Sequence, residues 1–139
     1  MNITLLQNLV DYGIIGLLFL LSILSVWLFI ERKLFYRSLD FTAYKSKKKF
    51  EIALTKNLTT IATIASNAPY IGLLGTVVAI MITFFTMGEA GMDAAKITAA
   101  LALALKTTAA GLVVAIISIV FYNILARDTE RLLVEYEER

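Results

Sequence analysis

The chain is 139 residues long and 59% apolar, with 13 basic against 11 acidic side chains and a net charge of +2. It contains no Cys and no His, which removes thiol chemistry, disulfides and the usual transition-metal sites. No cofactor is expected, and the length leaves no room for a soluble catalytic domain beside three membrane spans.

The N-terminal segment Met1–Tyr12 has no Lys or Arg. After it, Gly13–Ile30 runs 18 residues without a charge. That is longer than a signal-peptide core, and no Ala-x-Ala site follows, so a retained transmembrane helix is expected. Good helix formers at Glu31–Lys33 carry this helix past the apolar run. The segment Glu31–Asn67 holds eight basic residues. Short basic loops stay in the cytoplasm, which places this loop inside and the N-terminus outside. The run Lys45–Lys49 has no interleaved aromatics to stack on bases. It fits an inner-leaflet contact with membrane lipids, and nucleic acid is not an expected partner.

Within the same loop, Ser38–Lys49 is polar and bends. Ile52, Leu54, Leu58, Ile61, Ile64 and Ala65 then recur at amphipathic helical spacing. Asn67-Ala68-Pro69 is expected to interrupt that helix, because proline starts or kinks helices. Pro69–Met87 is a second charge-free run, of 19 residues. Gly88–Met92 is expected to form a tight outer hairpin, and Asp93 to cap the third helix. The third apolar run, Ile97–Ala126, spans 30 residues and carries one charge, Lys106. In the tail 126–139, Leu132, Leu133 and Tyr136 form an apolar stripe among charges.

A bilayer core of about 30 Å needs about 20 helical residues, and three unalternating runs cannot close into a barrel. The expectation is therefore an all-α integral membrane protein with spans at about 13–30, 69–87 and 100–124, a cytoplasmic loop at 31–67 and helical extensions into the cytoplasm. A soluble bundle of buried helices is the competing reading; hydropathy this high over three runs disfavours it.

Small residues line one face of each of the last two spans. Gly72, Thr76, Ala79, Thr83 and Thr86 step by 4, 3, 4 and 3, and Ala100, Ala104, Thr108, Gly111, Ala115 and Ser118 by 4, 4, 3, 4 and 3. Such faces let transmembrane helices approach closely, so helix packing alone accounts for the glycines and alanines. The threonines, Thr107 included, admit a second use, because a hydroxyl both donates and accepts and can pass a proton. A hydroxyl does not ionise near neutral pH. The three runs contain no acidic residue, so a proton-carrying carboxylate is expected from another chain. Lys106 lies two residues from both Ala104 and Thr108, ~160° around the helix from the stripe. It either pairs with an acid on another subunit or snorkels to an interface.

The run Pro69-Tyr70-Ile71-Gly72-Leu73-Leu74-Gly75-Thr76-Val77-Val78-Ala79-Ile80-Met81 resembles the second span of the ExbB/TolQ family, relatives of the MotA flagellar stator. The third span is similar in Lys106-Thr107-Thr108-Ala109-Ala110-Gly111-Leu112-Val113-Val114-Ala115-Ile116 and Tyr122-Asn123, with ExbB the nearer of the two branches. The resemblance implies a proton-driven motor subunit in the bacterial inner membrane. It implies a pentameric homo-oligomer forming a ring around an ExbD-like single-span partner that supplies an aspartate, working with a TonB-like protein in outer-membrane import. The family's pore threonines fall on Thr76 and Thr108. Two positions depart from the family: many members have glutamate where this chain has Leu103, and proline where it has Ile117. The alternatives are a TolQ- or MotA-like stator subunit, a stand-alone small channel or transporter, and a scaffold. A stand-alone proton channel would need its own titratable group, for which Lys106 is the one candidate in the spans. An enzyme is not expected, since no nucleophile–base constellation is present.

Overall fold

The structure, a computed structural model, describes residues 3–90 and 93–139, with side chains described over 5–87 and 93–139. Four α-helices and one 3-10 turn follow one another: α1 Ile3–Arg37, the turn Phe41–Ala43, α2 Lys47–Thr55, α3 Leu58–Ala90 and α4 Ala94–Glu137. The helices α1, α3 and α4 hold 35, 33 and 44 residues, or ~52, ~50 and ~66 Å at 1.5 Å per residue. Each is long and apolar enough to cross a membrane, and each exceeds the ~30 Å hydrocarbon core. Their large apolar side chains point outward: Phe19, Leu20, Trp27, Met81, Phe85, Leu103 and Ile116 are all more than 60% exposed. That is the reverse of a water-soluble bundle.

α3 runs antiparallel to α4 and packs along most of it. α1 lies parallel to α4 in steady register: Ser25 meets Ser118, Lys33 meets Asp128 and Tyr36 meets Thr129. Capping follows the expected chemistry. Asp93 accepts a hydrogen bond from the Lys96 amide at 2.9 Å and starts α4. Ser46 accepts from the Lys49 amide and starts α2. Asp40 accepts from both the amide and the hydroxyl of Thr42 and starts the 3-10 turn. The expected outer hairpin falls partly on residues 91–92, outside the described residues.

One expectation fails. No interruption occurs at Asn67–Pro69; α3 runs straight through Pro69. Nearby polar side chains bond within the helix: Thr63 donates to the Thr59 carbonyl, and Ser66 and Asn67 both donate to the Thr63 carbonyl. Pro69 removes only one helical donor, the partner of the Ala65 carbonyl, and the rest of the α3 ladder carries on through it. The break lies instead at Lys56–Asn57. Asn57 has φ 70°, the left-handed conformation that ends α2, and its carbonyl accepts the Ile61 amide of the next helix. Leu54, Leu58, Ile61, Ile64 and Ala65 are buried as their spacing predicts, but Ile52 is 63% exposed, and fully buried Phe50 takes its place in the core.

The core has two parts. Leu18 of α1, Ile64 and Ala68 of α3 and Val114 of α4 form a small cluster between the three long helices. A larger one gathers Leu28, Tyr36, Phe50, Leu54, Leu58, Ile61, Leu125 and Leu132 at the C-terminal ends of α1 and α4. The tail stripe belongs to it, with Leu132 buried and Leu133 and Tyr136 packed alongside.

Candidate functional site: the hydroxyl seam between α3 and α4

The seam exists because two glycines remove the side chains that would keep the helices apart. The Gly72 and Gly111 backbones nearly touch. A Cβ at Gly111 would stand 3.1 Å from the Gly72 Cα and collide with the Ala68 carbonyl oxygen, and one at Gly72 would collide with the Thr107 carbonyl oxygen. Real Cβ atoms do not occupy such positions, so both sites require glycine.

This approach brings three hydroxyls together. Thr76 Oγ1 lies 2.5 Å from Thr108 Oγ1 and 3.3 Å from Thr107 Oγ1. It also sits 2.8 Å from the Ala104 carbonyl, to which it donates. Thr107 Oγ1 donates across the seam to the Gly72 carbonyl at 2.9 Å. Each hydroxyl has one proton and two lone pairs; with Thr76 and Thr107 donating to carbonyls, Thr108 donates to Thr76, and a turn of the Thr76 or Thr107 hydroxyl links the third member. Thr76, Thr107 and Ser118 are buried and Thr108 is half-buried at the rim. Thr108 is thus the point where the chain of hydroxyls reaches the surface of the protomer.

The other sequence-derived positions divide accordingly. Gly72, Thr76, Ala79 and Thr83 of α3 and Ala104 and Gly111 of α4 are buried in the seam. Thr83 donates to its own Ala79 carbonyl, not across the seam. On α4 the buried line is Ala104, Thr107, Gly111, Val114 and Ser118, stepping by 3, 4, 3 and 4. The expected line passed through Thr108 and Ala115, which flank it half-buried. Thr107 faces inward because a 3-residue step from Ala104 stays closer to the facing helix than a 4-residue step does here. Lys106 is exposed and has no ion-pair partner among the described residues. This agrees with its place on a different face from the stripe.

Two residues were not singled out in the sequence. Ser25, fully buried, shares a hydrogen bond at 2.7 Å with Ser118 of the α4 stripe; a lone serine in an apolar run gives no signal. The second is Asp11, two residues ahead of the first apolar run. It lines a cavity of about 140 Å³ with Gln7, Asn8, Thr83, Ala100, Leu103 and Ala104. A search for acids inside the apolar runs passes over it.

The end where α2 meets the C-terminal halves of α1 and α4 also carries buried polar groups. Arg32, 2% exposed, donates to the Ala53 carbonyl at 2.8 Å and to Glu31 at 2.6 Å, and lies 4.4 Å from the Phe35 ring centre. Tyr36 donates to the Leu54 carbonyl at 2.6 Å. Both carbonyls belong to the last turn of α2, whose acceptors lack helical partners, so α1 caps α2 from the side. The hydrogen bond from Arg32 holds the Glu31 carboxyl below the usual glutamate range, and the same bond raises Arg32. Burial pushes the Tyr36 hydroxyl up. Hydrogen bonds from Thr42 hold Asp40 down. Among the described residues no cluster of acids could hold a metal ion.

A sequence profile of the MotA/TolQ/ExbB proton channel family matches residues 30–138. The chain is 51% identical over 132 residues to an ExbB-like biopolymer transport protein of Helicobacter pylori, covering 94% of this chain and 88% of that one. It is 48% identical over 132 residues to the biopolymer transport protein ExbB of Aquifex aeolicus, covering 94% and 89%. To the ExbB of Neisseria gonorrhoeae it is 42% identical over 74 residues, 52% of this chain and 34% of that one.

Proposed function

The chain belongs to the MotA/TolQ/ExbB proton channel family, and from that premise we propose that it is the ExbB-type subunit of a motor driven by the proton-motive force. It is a multi-pass membrane protein of a transport family. In the proposed arrangement it sits as one membrane domain in the bacterial inner membrane, with its N-terminus periplasmic and its C-terminus cytoplasmic. About five copies form a ring, and an ExbD-like single-span protein inside the ring supplies an ionising aspartate. A TonB-like protein then carries the work to outer-membrane import.

The observation that carries this reading is the Thr76–Thr107–Thr108 cluster, three connected hydroxyls at membrane depth with no ionisable group among them. Such a cluster can relay a proton but cannot hold one as a charge, so it works beside an acid supplied from elsewhere.

Thr108→Val tests the reading. It keeps the side chain's shape and removes the hydroxyl at the rim. Energised import by the assembled complex should fall sharply while the mass of the complex in mild detergent stays unchanged. Wild-type import by this variant would leave the seam a packing surface only.

A further inference from the structure

Asp11 stands apart among the described polar side chains. Its Oδ1 is the one buried side-chain oxygen or nitrogen without a hydrogen-bond partner among the described residues. Its neighbours make this more pointed. The cavity it lines is walled by Ala79 and Thr83 from α3 and by Ala100, Leu103 and Ala104 from α4, with Gln7 and Asn8 beside it on α1. None of these lining groups is charged or titratable, so among the described residues no cation shares the cavity with the carboxylate.

Depth matters as well. Thr83 lies four residues inside Met87, the end of the second apolar run, or roughly 6 Å along the helix. Asp11 therefore reaches the hydroxyl seam below the outer rim of the apolar layer, although it precedes the first apolar run. One turn deeper, Ile14 of α1 packs near Gly75, beside Thr107. The carboxyl thus stands at the outer end of the same seam that holds Thr76, Thr107 and Thr108.

The Asp11 side chain is half-buried overall, and its Oδ1, turned into this cavity without a protein donor, is open to a proton or a bound cation. The cavity's volume of about 140 Å³ accommodates several waters at roughly 30 Å³ each. We propose that Asp11 is a proton-binding station of this chain itself, at the outer mouth of the α3–α4 seam. The carboxylate takes one proton from the outer water phase and becomes a neutral carboxyl. On release the proton passes inward to the next acceptor and the carboxylate is restored, with no net change in the chain. The inference rests on the motor reading for its direction of flow, but not for the binding itself.

The test uses the complete complex, with its single-span partner, in liposomes. Infrared difference spectra between acid and neutral pH report protonated carboxyls directly, and a pH-sensitive dye reports proton flux. Wild type should show a carboxyl band that Asp11→Asn lacks and that Asp11→Glu moves to a new frequency. Asp11→Asn should also lose flux and flatten its pH profile, and Asp11→Glu should restore both. An Asp11→Asn complex that assembles and keeps wild-type flux, pH profile and band overturns the proposal. Should Asp11→Asn not assemble, the band in Asp11→Glu decides: an unmoved band overturns it. A wild-type complex that moves no protons refutes the motor reading instead, and the infrared band still reports on Asp11.

Discussion

At Gly72 and Gly111, α3 and α4 meet backbone against backbone with hydroxyls bridging what little space remains. Around Phe50 the same chain keeps its helices apart with rings: Phe50 stacks on Tyr136 at 4.7 Å, and Phe41 and Tyr44 close in at 5.3 and 5.2 Å. The solvent explains the contrast. Between lipid tails, apolar side chains gain nothing by leaving the lipid for each other, so close van der Waals contact and interhelical hydrogen bonds must do the holding. In water, burial of large apolar surface dominates. One polypeptide therefore uses small residues where lipid surrounds it and aromatic ones where water does.

The contrast is sharpest in its responses to mutation. Phe50→Ala should have the largest effect. Phe50 is fully buried, and truncating such a ring costs about 4 kcal/mol. Limited proteolysis should then cut the Lys45–Lys49 segment while the spans stay intact in detergent. Simultaneous loss of the spans would mean that the two regions are one cooperative unit. Gly111→Val should come next, at about 3 kcal/mol, the upper range for overpacking. It should separate α3 from α4, read as a loss of thermal stability in detergent with Lys45–Lys49 still protected. An unaffected Gly111→Val protein would show that the backbones do not meet as described.

The smallest effect belongs to the ion pair at the boundary. The Glu31 carboxyl is held below its ordinary value of 4.5 by its hydrogen bond from Arg32. A depressed folded value stabilises above the unfolded one and loses that contribution as pH falls. Wild type should therefore exceed Glu31→Gln in stability at neutral pH, by less than about 1 kcal/mol, since the Glu31 carboxylate stays partly in water. The two should converge as pH falls below 4.5. A gap that widens with acid would contradict the sign.

Much of this was legible in the residues alone. Three apolar runs announced three long helices, Asp93 announced a cap, and the repeated small residues announced a seam. Pro69 misled because one missing helical donor does not outweigh packing on both sides of it, where Ala68 and Gly72 lie against Gly111 of α4. Asn57 was missed because a single left-handed residue between good helix formers leaves no mark in hydropathy. On α4 the face shifted from Thr108 to Thr107, since a 4-residue step and a 3-residue step differ by one position that only the facing helix can decide. Asp11 escaped because depth in the membrane is a property of packing between helices, not of one stretch of sequence.

The length of α4 has its own consequence. It continues without proline from Ala94 to Glu137, carrying Thr108 near one end and Tyr136 near the other. Those two residues are ~42 Å apart along the axis. A rod with no joint acts as a lever arm, so a tilt of about 5° at the level of Thr108 sweeps Tyr136 sideways by roughly 4 Å over that distance. Motion too small to disturb a threonine contact thus becomes, at the far end, a displacement large enough for a neighbouring protein to feel.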